Sequence, residues 1–110
     1  MNINVEIAGG VTVVALSGAL DSTSAPGLQE TLLPLCEPDS RILLDMSGVD
    51  YLSSAGLRSL LTMYRRITEN AGRVVLVGLT DRVKDVMDIT GFLEFFTICD
   101  DRAAGFQTLA

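Results

Sequence analysis

The chain has no histidine among its 110 residues. That absence removes serine–histidine–aspartate and cysteine–histidine catalysis, together with every imidazole-based metal site. Cysteine is nearly absent as well. Cys36 and Cys99 are far apart and form no Cys-x-x-Cys pair, so two buried free thiols are expected in place of a disulfide. Cations are scarce: eight Lys and Arg against fourteen Asp and Glu leave a net charge of −6, and the cations are scattered apart from Arg65-Arg66. Nucleic acid and anionic membrane both require clustered positive charge, so neither is an expected partner. No apolar run approaches the roughly 18 residues that a membrane span needs. The N-terminus carries no basic region followed by an apolar stretch, so no signal peptide is read there and the cytoplasm is the expected location.

What is present is enough apolar material, 48% of residues, for a core in one domain spanning residues 1–110. Ile3, Val5 and Ile7 alternate with polar residues, which predicts a strand with one wet face. Gly9-Gly10 marks a hairpin. Val11 to Ser17 is more continuously apolar and reads as a central strand, which Gly18-Ala19-Leu20-Asp21 then leaves. Pro26 suits the first turn of a short helix with Leu28 and Leu32 on its buried face, and Pro34 ends or kinks it.

Arg41 to Asp45 is expected to be a strand buried on both faces. A polar turn at Ser47-Gly48-Val49-Asp50 follows it. Leu57, Leu60, Leu61, Tyr64 and Ile67 then recur at helical spacing in a helix entered at Ala55, with Gly72 as its left-handed cap. Val74 to Val77 reads as another buried strand. Thr80 caps a helix carrying Val83, Val86 and Met87, and Gly91 ends it. Phe95 to Cys99 reads as the last strand. A final helix carries Phe106 and Leu109 on its apolar side, and Gly105 weakens it by about 1 kcal/mol relative to alanine. Apolar strands alternating with amphipathic helices predict an α/β fold, with a mixed, mostly parallel sheet, an N-terminal antiparallel strand and about four helices.

The chain is organised around Asp45 to Leu61. Ser53 and Ser54 sit where loop becomes helix. A serine there caps the helix by accepting from a free backbone N–H, or it stands as an exposed hydroxyl beside unpaired N–H groups that favour a phosphate. Asp21 has two readings, a cap for the Pro26 helix and a binding residue. Asp45 is expected to tie down the next turn through an Asx-type bond, and Gly56 to permit a close approach. Arg58, Thr62 and Arg65 share one side of the helix, either as a solvated face or as a docking surface flanking Ser54.

Four stretches together resemble the STAS domain family, and within it the bacterial anti-sigma factor antagonists. They are SGALD at 17–21, LLDMSGVDYLSSAGL at 43–57, RVVLVGLTDRVKDVMDITGF at 73–92, and the phenylalanine-rich strand after them. The resemblance implies a STAS-like single domain and a partner-switching role. It implies an anti-sigma factor that is also a serine kinase as partner, and a PP2C-type phosphatase that resets the antagonist. It places the phosphorylated serine at Ser54, with Ser53 as the alternative, and the family's loop aspartate at Asp21. Asp21, Ser53, Ala55, Gly56, Arg58 and Thr62 become expected partner-binding residues.

Two positions depart from the family's usual pattern. Ser53 stands where the family often has aspartate, and Ala55 where it often has serine. A second reading is a STAS subunit of a membrane transporter complex without a phosphorylation switch. A serine hydrolase ranks far behind, because there is no G-x-S-x-G elbow and no histidine base. No cofactor, metal or enzymatic activity is expected.

Overall fold

The computed structural model describes residues 1–110. Five strands lie in the order β1-β2-β3-β4-β5, which is also their order along the chain. β1 (Asn2–Ala8) and β2 (Val11–Leu20) form the antiparallel hairpin. β3 (Arg41–Leu52), β4 (Arg73–Val77) and β5 (Thr97–Cys99) continue the sheet in parallel. Between and after them run α1 (Ala25–Leu32), α2 (Ser54–Glu69), α3 (Asp81–Ile89) and α4 (Arg102–Leu109). The predicted class therefore holds: a mixed sheet with one antiparallel edge, and four helices.

Strand periodicity sets the layers. In β3, Ile42 and Leu44 point to one face and Leu43 to the other. Ile42 and Leu44 join the larger core with Leu28 and Leu32 of α1, Leu60, Met63 and Ile67 of α2, and Val83 and Met87 of α3. Leu43 joins Val11, Val13, Val75, Val77 and Leu109 in a second core under α4. Three helices thus cover one face of the sheet and α4 covers part of the other. Arg41 and Arg73 are paired across β3 and β4, two like charges side by side. Both are drawn to the C-terminal end of α4, where Arg41 donates to the Leu109 carbonyl and Arg73 to that of Thr108, a helix end that favours cations.

Several sequence expectations need correction. β1 is an edge strand on which only Ile3 is half-buried; Val5 and Ile7 remain 39% and 77% exposed, so both of its faces are largely wet. Gly72 is not the left-handed residue at the end of α2. Ala71 is, at φ 57°, and Gly72 donates to the Ile67 carbonyl at 2.8 Å one residue later. Gly72 answers to space instead: a Cβ there would lie 2.6 Å from Ser40 Oγ and 2.9 Å from Ile67 Cγ2. Phe92–Phe95 forms a 3-10 turn, which shortens the last strand to Thr97–Cys99. Both cysteines are free, as expected, but only Cys36 is fully buried.

Gly105 also changes meaning. Propensity alone says that alanine would strengthen α4 by about 1 kcal/mol. Yet a Cβ at Gly105 would meet Leu43 Cδ1 at 2.8 Å and Val77 Cγ1 at 2.9 Å, and both side chains are buried and hemmed in. Overpacking of this kind costs about 1–3 kcal/mol. Gly105→Ala is therefore expected to lower stability by about 1 kcal/mol net, read as a lower urea midpoint at unchanged slope. A higher midpoint would mean that α4 lifts off the sheet without penalty.

The largest departure lies where the chain was expected to turn. Ser47 to Asp50 is strand, not loop, and β2 likewise runs on through Gly18, Ala19 and Leu20. The pairing of these strands slips twice, between Ala15 and Ser17 and between Gly18 and Ala19. Each slip places an extra residue on β3, which bends the ribbon locally as β-bulges do. Gly48 fits the first bend, because a Cβ there would come within 2.8 Å of both the Leu16 carbonyl oxygen and Ser17 Cβ. β4 pairs only as far as Asp45, so the ends of β2 and β3 project beyond it as a two-stranded ribbon. The candidate site lies at the end of that projection.

Candidate functional site

The ribbon ends with Leu20 paired to Leu52. Neighbouring strands lie about 4.8 Å apart, so Asp21 and Ser53 leave the sheet side by side. Ser53 N–H donates to the Leu20 carbonyl at 3.0 Å, which locks the two exits together. Gly56 seats the head of α2 against them: a Cβ there would be 2.5 Å from the Leu20 oxygen, 2.8 Å from Leu20 Cγ and 2.9 Å from Leu52 Cδ1. The close-approach reading of Gly56 from sequence is thereby given its partners.

The two serines have different surroundings. Ser53 is the N-cap, extended at φ −91° and ψ 173°, and its hydroxyl accepts from Gly56 N–H at 3.2 Å. It is half-buried and engaged at both its N–H and its hydroxyl. Ser54 is the first residue of α2 and is exposed. The helix thus begins one residue earlier than Ala55. Its head offers unpaired N–H groups and the positive end of the helix dipole, with no acidic side chain in the first turn.

Asp21 does not cap α1 directly. Its Oδ1 accepts from Thr23 N–H at 2.9 Å and Ser24 N–H at 3.1 Å, an Asx-type turn that leads into the helix. Ser24 holds the N-cap position without a side-chain cap bond and donates to the Ala19 carbonyl at 2.8 Å. The backbone bonds from Ser24 and then Thr23 hold the Asp21 carboxyl below the ordinary carboxylate range, so it is anionic wherever the protein is folded near neutrality.

Ser54 and Arg58 line one side of a groove of about 500 Å³, together with Leu57, Leu61 and Arg65; Thr90 and Phe92 close the other side. Of the residues singled out from sequence for the site, Ser54, Arg58 and Arg65 belong to it. Thr62 lies beside it and donates its hydroxyl to the Arg58 carbonyl at 2.9 Å. Asp21, Ser53 and Ala55 are half-buried at the head of α2, and Gly56 is buried beneath them and presents no surface to a partner. Thr90 and Phe92 were missed because the segment after α3 reads from sequence as a helix stop and nothing more; Gly91 at φ 79° is the one hint that the chain turns back there.

Asp45, at the root of the ribbon, makes the expected Asx-type bond, accepting from Ser47 N–H at 3.0 Å. It also pairs with Arg102 of α4, Nε to Oδ2 at 2.8 Å, while the Arg102 Nη1 lies 3.3 Å from Glu6 Oε1. Burial acts to raise the Asp45 carboxyl, but the bonds from Ser47 and Arg102 outweigh it and the value is lowered. A depressed folded value means that this contribution is present above the ordinary carboxylate pKa near 4 and fades as pH falls through the folded one. Asp45→Asn is expected to cost about 1 kcal/mol at pH 7 and to flatten the loss of stability below about pH 4. Urea melts at pH 7 and pH 3 check both effects. An equal penalty at the two pH values would refute the linkage.

An exposed serine thus stands at the head of a helix, on a bent two-stranded ribbon beside an aspartate turn and a groove that carries two arginines. The chain belongs to the STAS domain family, whose model matches residues 2–105. It is 32% identical to BtrV of Bordetella bronchiseptica, named as an anti-sigma factor antagonist, over 98% of this chain and 97% of that one. The anti-sigma-B factor antagonist of Bacillus subtilis is 30% identical, over 97% of this chain and 100% of its own length. Among solved structures, an anti-sigma factor antagonist of Thermotoga maritima superposes with a TM-score of 0.90 at 18% identity, covering 97% and 93% of the two chains. The Bacillus cell-fate determinant SpoIIAA in its phosphorylated form superposes at 0.73 with 16% identity, covering 97% and 99%.

Proposed function

We propose that this chain is an anti-sigma factor antagonist that works by partner switching in the cytoplasm. Unphosphorylated, it binds an anti-sigma factor that is also a serine kinase of the histidine-kinase-like ATPase type, and the sigma factor is freed. In the kinase reaction the Ser54 oxygen takes the γ-phosphoryl group of ATP. The bond from that phosphorus to the β-phosphate oxygen breaks, ADP leaves, and the hydroxyl proton passes to a base of the kinase. The phosphorylated antagonist lets go, and a PP2C-type phosphatase hydrolyses the ester.

The observation that carries this reading is the division of labour between the two serines. Ser53 keeps the helix capped, which leaves the exposed Ser54 hydroxyl free to change without loss of a structural bond. The names of the relatives at 30% and 32% identity support the antagonist role. A phosphate at the first residue of a helix meets the favourable end of the dipole, a contact worth about 0.3–1 kcal/mol, so the domain itself tolerates it.

Asp21, Ser53, Ala55, Arg58 and Thr62 surround Ser54 as the docking surface, and the buried Gly56 seats that surface on the ribbon without itself meeting the partner. Affinity capture from the source cells with Ser54→Ala, which holds the unphosphorylated state, is expected to retain an ATPase-fold serine kinase. Recovery of a permease or lipid-transport complex in its place would overturn the antagonist reading and favour a transporter subunit.

A further inference from the structure

Two arginines, Arg58 and Arg65, line the groove of this acidic protein. Both ion pairs in the molecule belong to Arg102, so Arg58 and Arg65 face the groove as cations without a carboxylate. No acidic side chain lines it, and the residues across from them, Thr90 and Phe92, carry no charge. Arg58 is one turn after Ser54 on the same side of α2, and both residues are exposed. Side chains four apart on a helix are neighbours, and an acidic group N-terminal to a basic one is the favourable order. Arg65 lies about 16 Å beyond Ser54 along the axis, outside the reach of the same phosphate.

The geometry points to Arg58 as the internal counter-ion of a phosphate on Ser54: its guanidinium closes on the phosphate oxygens along one turn of α2, so phosphorylation withdraws a free cation from the groove as well as adding a dianion to its rim. This rests on Ser54 as the acceptor, and it adds a second element to the switch. A partner carboxylate that meets Arg58 in the unphosphorylated state loses its counter-charge at the same moment that it meets a phosphate. The planar fork of arginine matches phosphate oxygens in a way that a point charge does not. The Thr62 hydroxyl is occupied by the Arg58 carbonyl and does not compete for the phosphate.

The test uses full-length protein with phosphoserine installed at position 54 during translation and verified by mass. It therefore does not depend on any kinase, and whether cells phosphorylate Ser54 is a separate question with a separate answer. Phosphorus NMR follows the second ionisation of the phosphate, ordinarily near pH 6. The expected result is a midpoint in the parent protein lower by about half a pH unit than in Arg58→Gln, with Arg65→Gln matching the parent. Both arginines are exposed, and circular dichroism verifies that the variants fold. Identical titrations in the parent and Arg58→Gln would overturn the assignment. An equal shift in both variants would also overturn it, because the effect would then be a diffuse field and not a clamp.

Discussion

Phosphate on Ser54 is expected to weaken binding to the proposed anti-sigma kinase by about a hundredfold or more while leaving the melting temperature within a few degrees of the parent. The two halves of this expectation have different physical origins. Within the domain, the phosphate sits at the head of α2, where free N–H groups and the helix dipole favour negative charge, and no carboxylate stands in the first turn. Against a partner, the same dianion must be desolvated, and an uncompensated buried charge costs several kcal/mol. Each 1.4 kcal/mol is tenfold in affinity. The Asp21 carboxylate, on the neighbouring strand exit, stays ionised and is a second negative charge that a partner must meet at the same place.

Isothermal titration of the kinase with the parent, Ser54→Ala and the phosphoserine protein reads the effect. Ser54→Ala should bind as the parent does. Ser54→Asp should fall between, since one carboxylate carries less charge and fewer acceptor oxygens than a phosphate. Equal affinity for Ser54→Ala and the phosphoserine form would remove the switch.

Gly56→Ala is the substitution expected to do most damage for its size. The added methyl carbon would stand 2.5 Å from the backbone oxygen of Leu20. A backbone atom fixed by β2–β3 pairing cannot swing aside as a side-chain tip does, so α2 must shift at its head. Overpacking together with a weakened tie between Ser53 N–H and the Leu20 carbonyl is expected to cost about 2–3 kcal/mol, roughly 10 °C in Tm. Because the displaced element carries Ser54 and Arg58, affinity for the kinase should fall as well, by tenfold or more at a temperature where the variant is still folded. Gly27→Ala in α1 is the contrast. No atom lies within 4 Å of a Cβ there, so helix propensity alone acts and stability should rise by up to about 1 kcal/mol. Thermal melts of the two variants side by side separate close approach from propensity. A neutral Gly56→Ala would mean that the head of α2 is not seated where the geometry puts it.

Much of this architecture is legible in the amino-acid order, and the illegible parts have identifiable causes. Apolar runs such as Ile42-Leu43-Leu44 and Val74 to Val77 announce strands buried on both faces, and the helices announce themselves by period and by caps such as Thr80, which accepts from Val83 N–H; for α4 the sequence leaves Asp100 and Asp101 as equal candidates, and Asp101 is the one that accepts from Ala104 N–H. Ser47-Gly48-Val49-Asp50 reads as a turn because its residues are turn formers; as strand it is held by pairing to Ser17 and Gly18, a long-range contact that no local window contains. The same blindness hides Thr90 and Phe92, which become groove residues only when α3 packs back toward α2. Gly72 and Gly105 look like conformational or propensity choices. Their neighbours, Ser40 in one case and Leu43 with Val77 in the other, show that they are matters of space.

At the site, sequence places Ser53 and Ser54 together and leaves both readings of a helix-start serine open; the structure divides those readings between the two residues. Met63 is fully buried in the core yet lies outside the predicted face, whereas Leu61 and Tyr64 are half-buried and line grooves. Leu57, Leu60 and Ile67 are buried as their spacing predicts, so the face is turned only slightly, toward Met63.

The most direct measurement is phosphosite mapping, by intact mass and fragmentation, of the protein isolated from its own cells under several growth states. A single phosphate on Ser54 whose occupancy changes with condition is the expected result. Phosphate on Ser53 with none on Ser54, or no phosphate in any condition, would contradict it and return Ser54 to the role of an ordinary first residue of a helix.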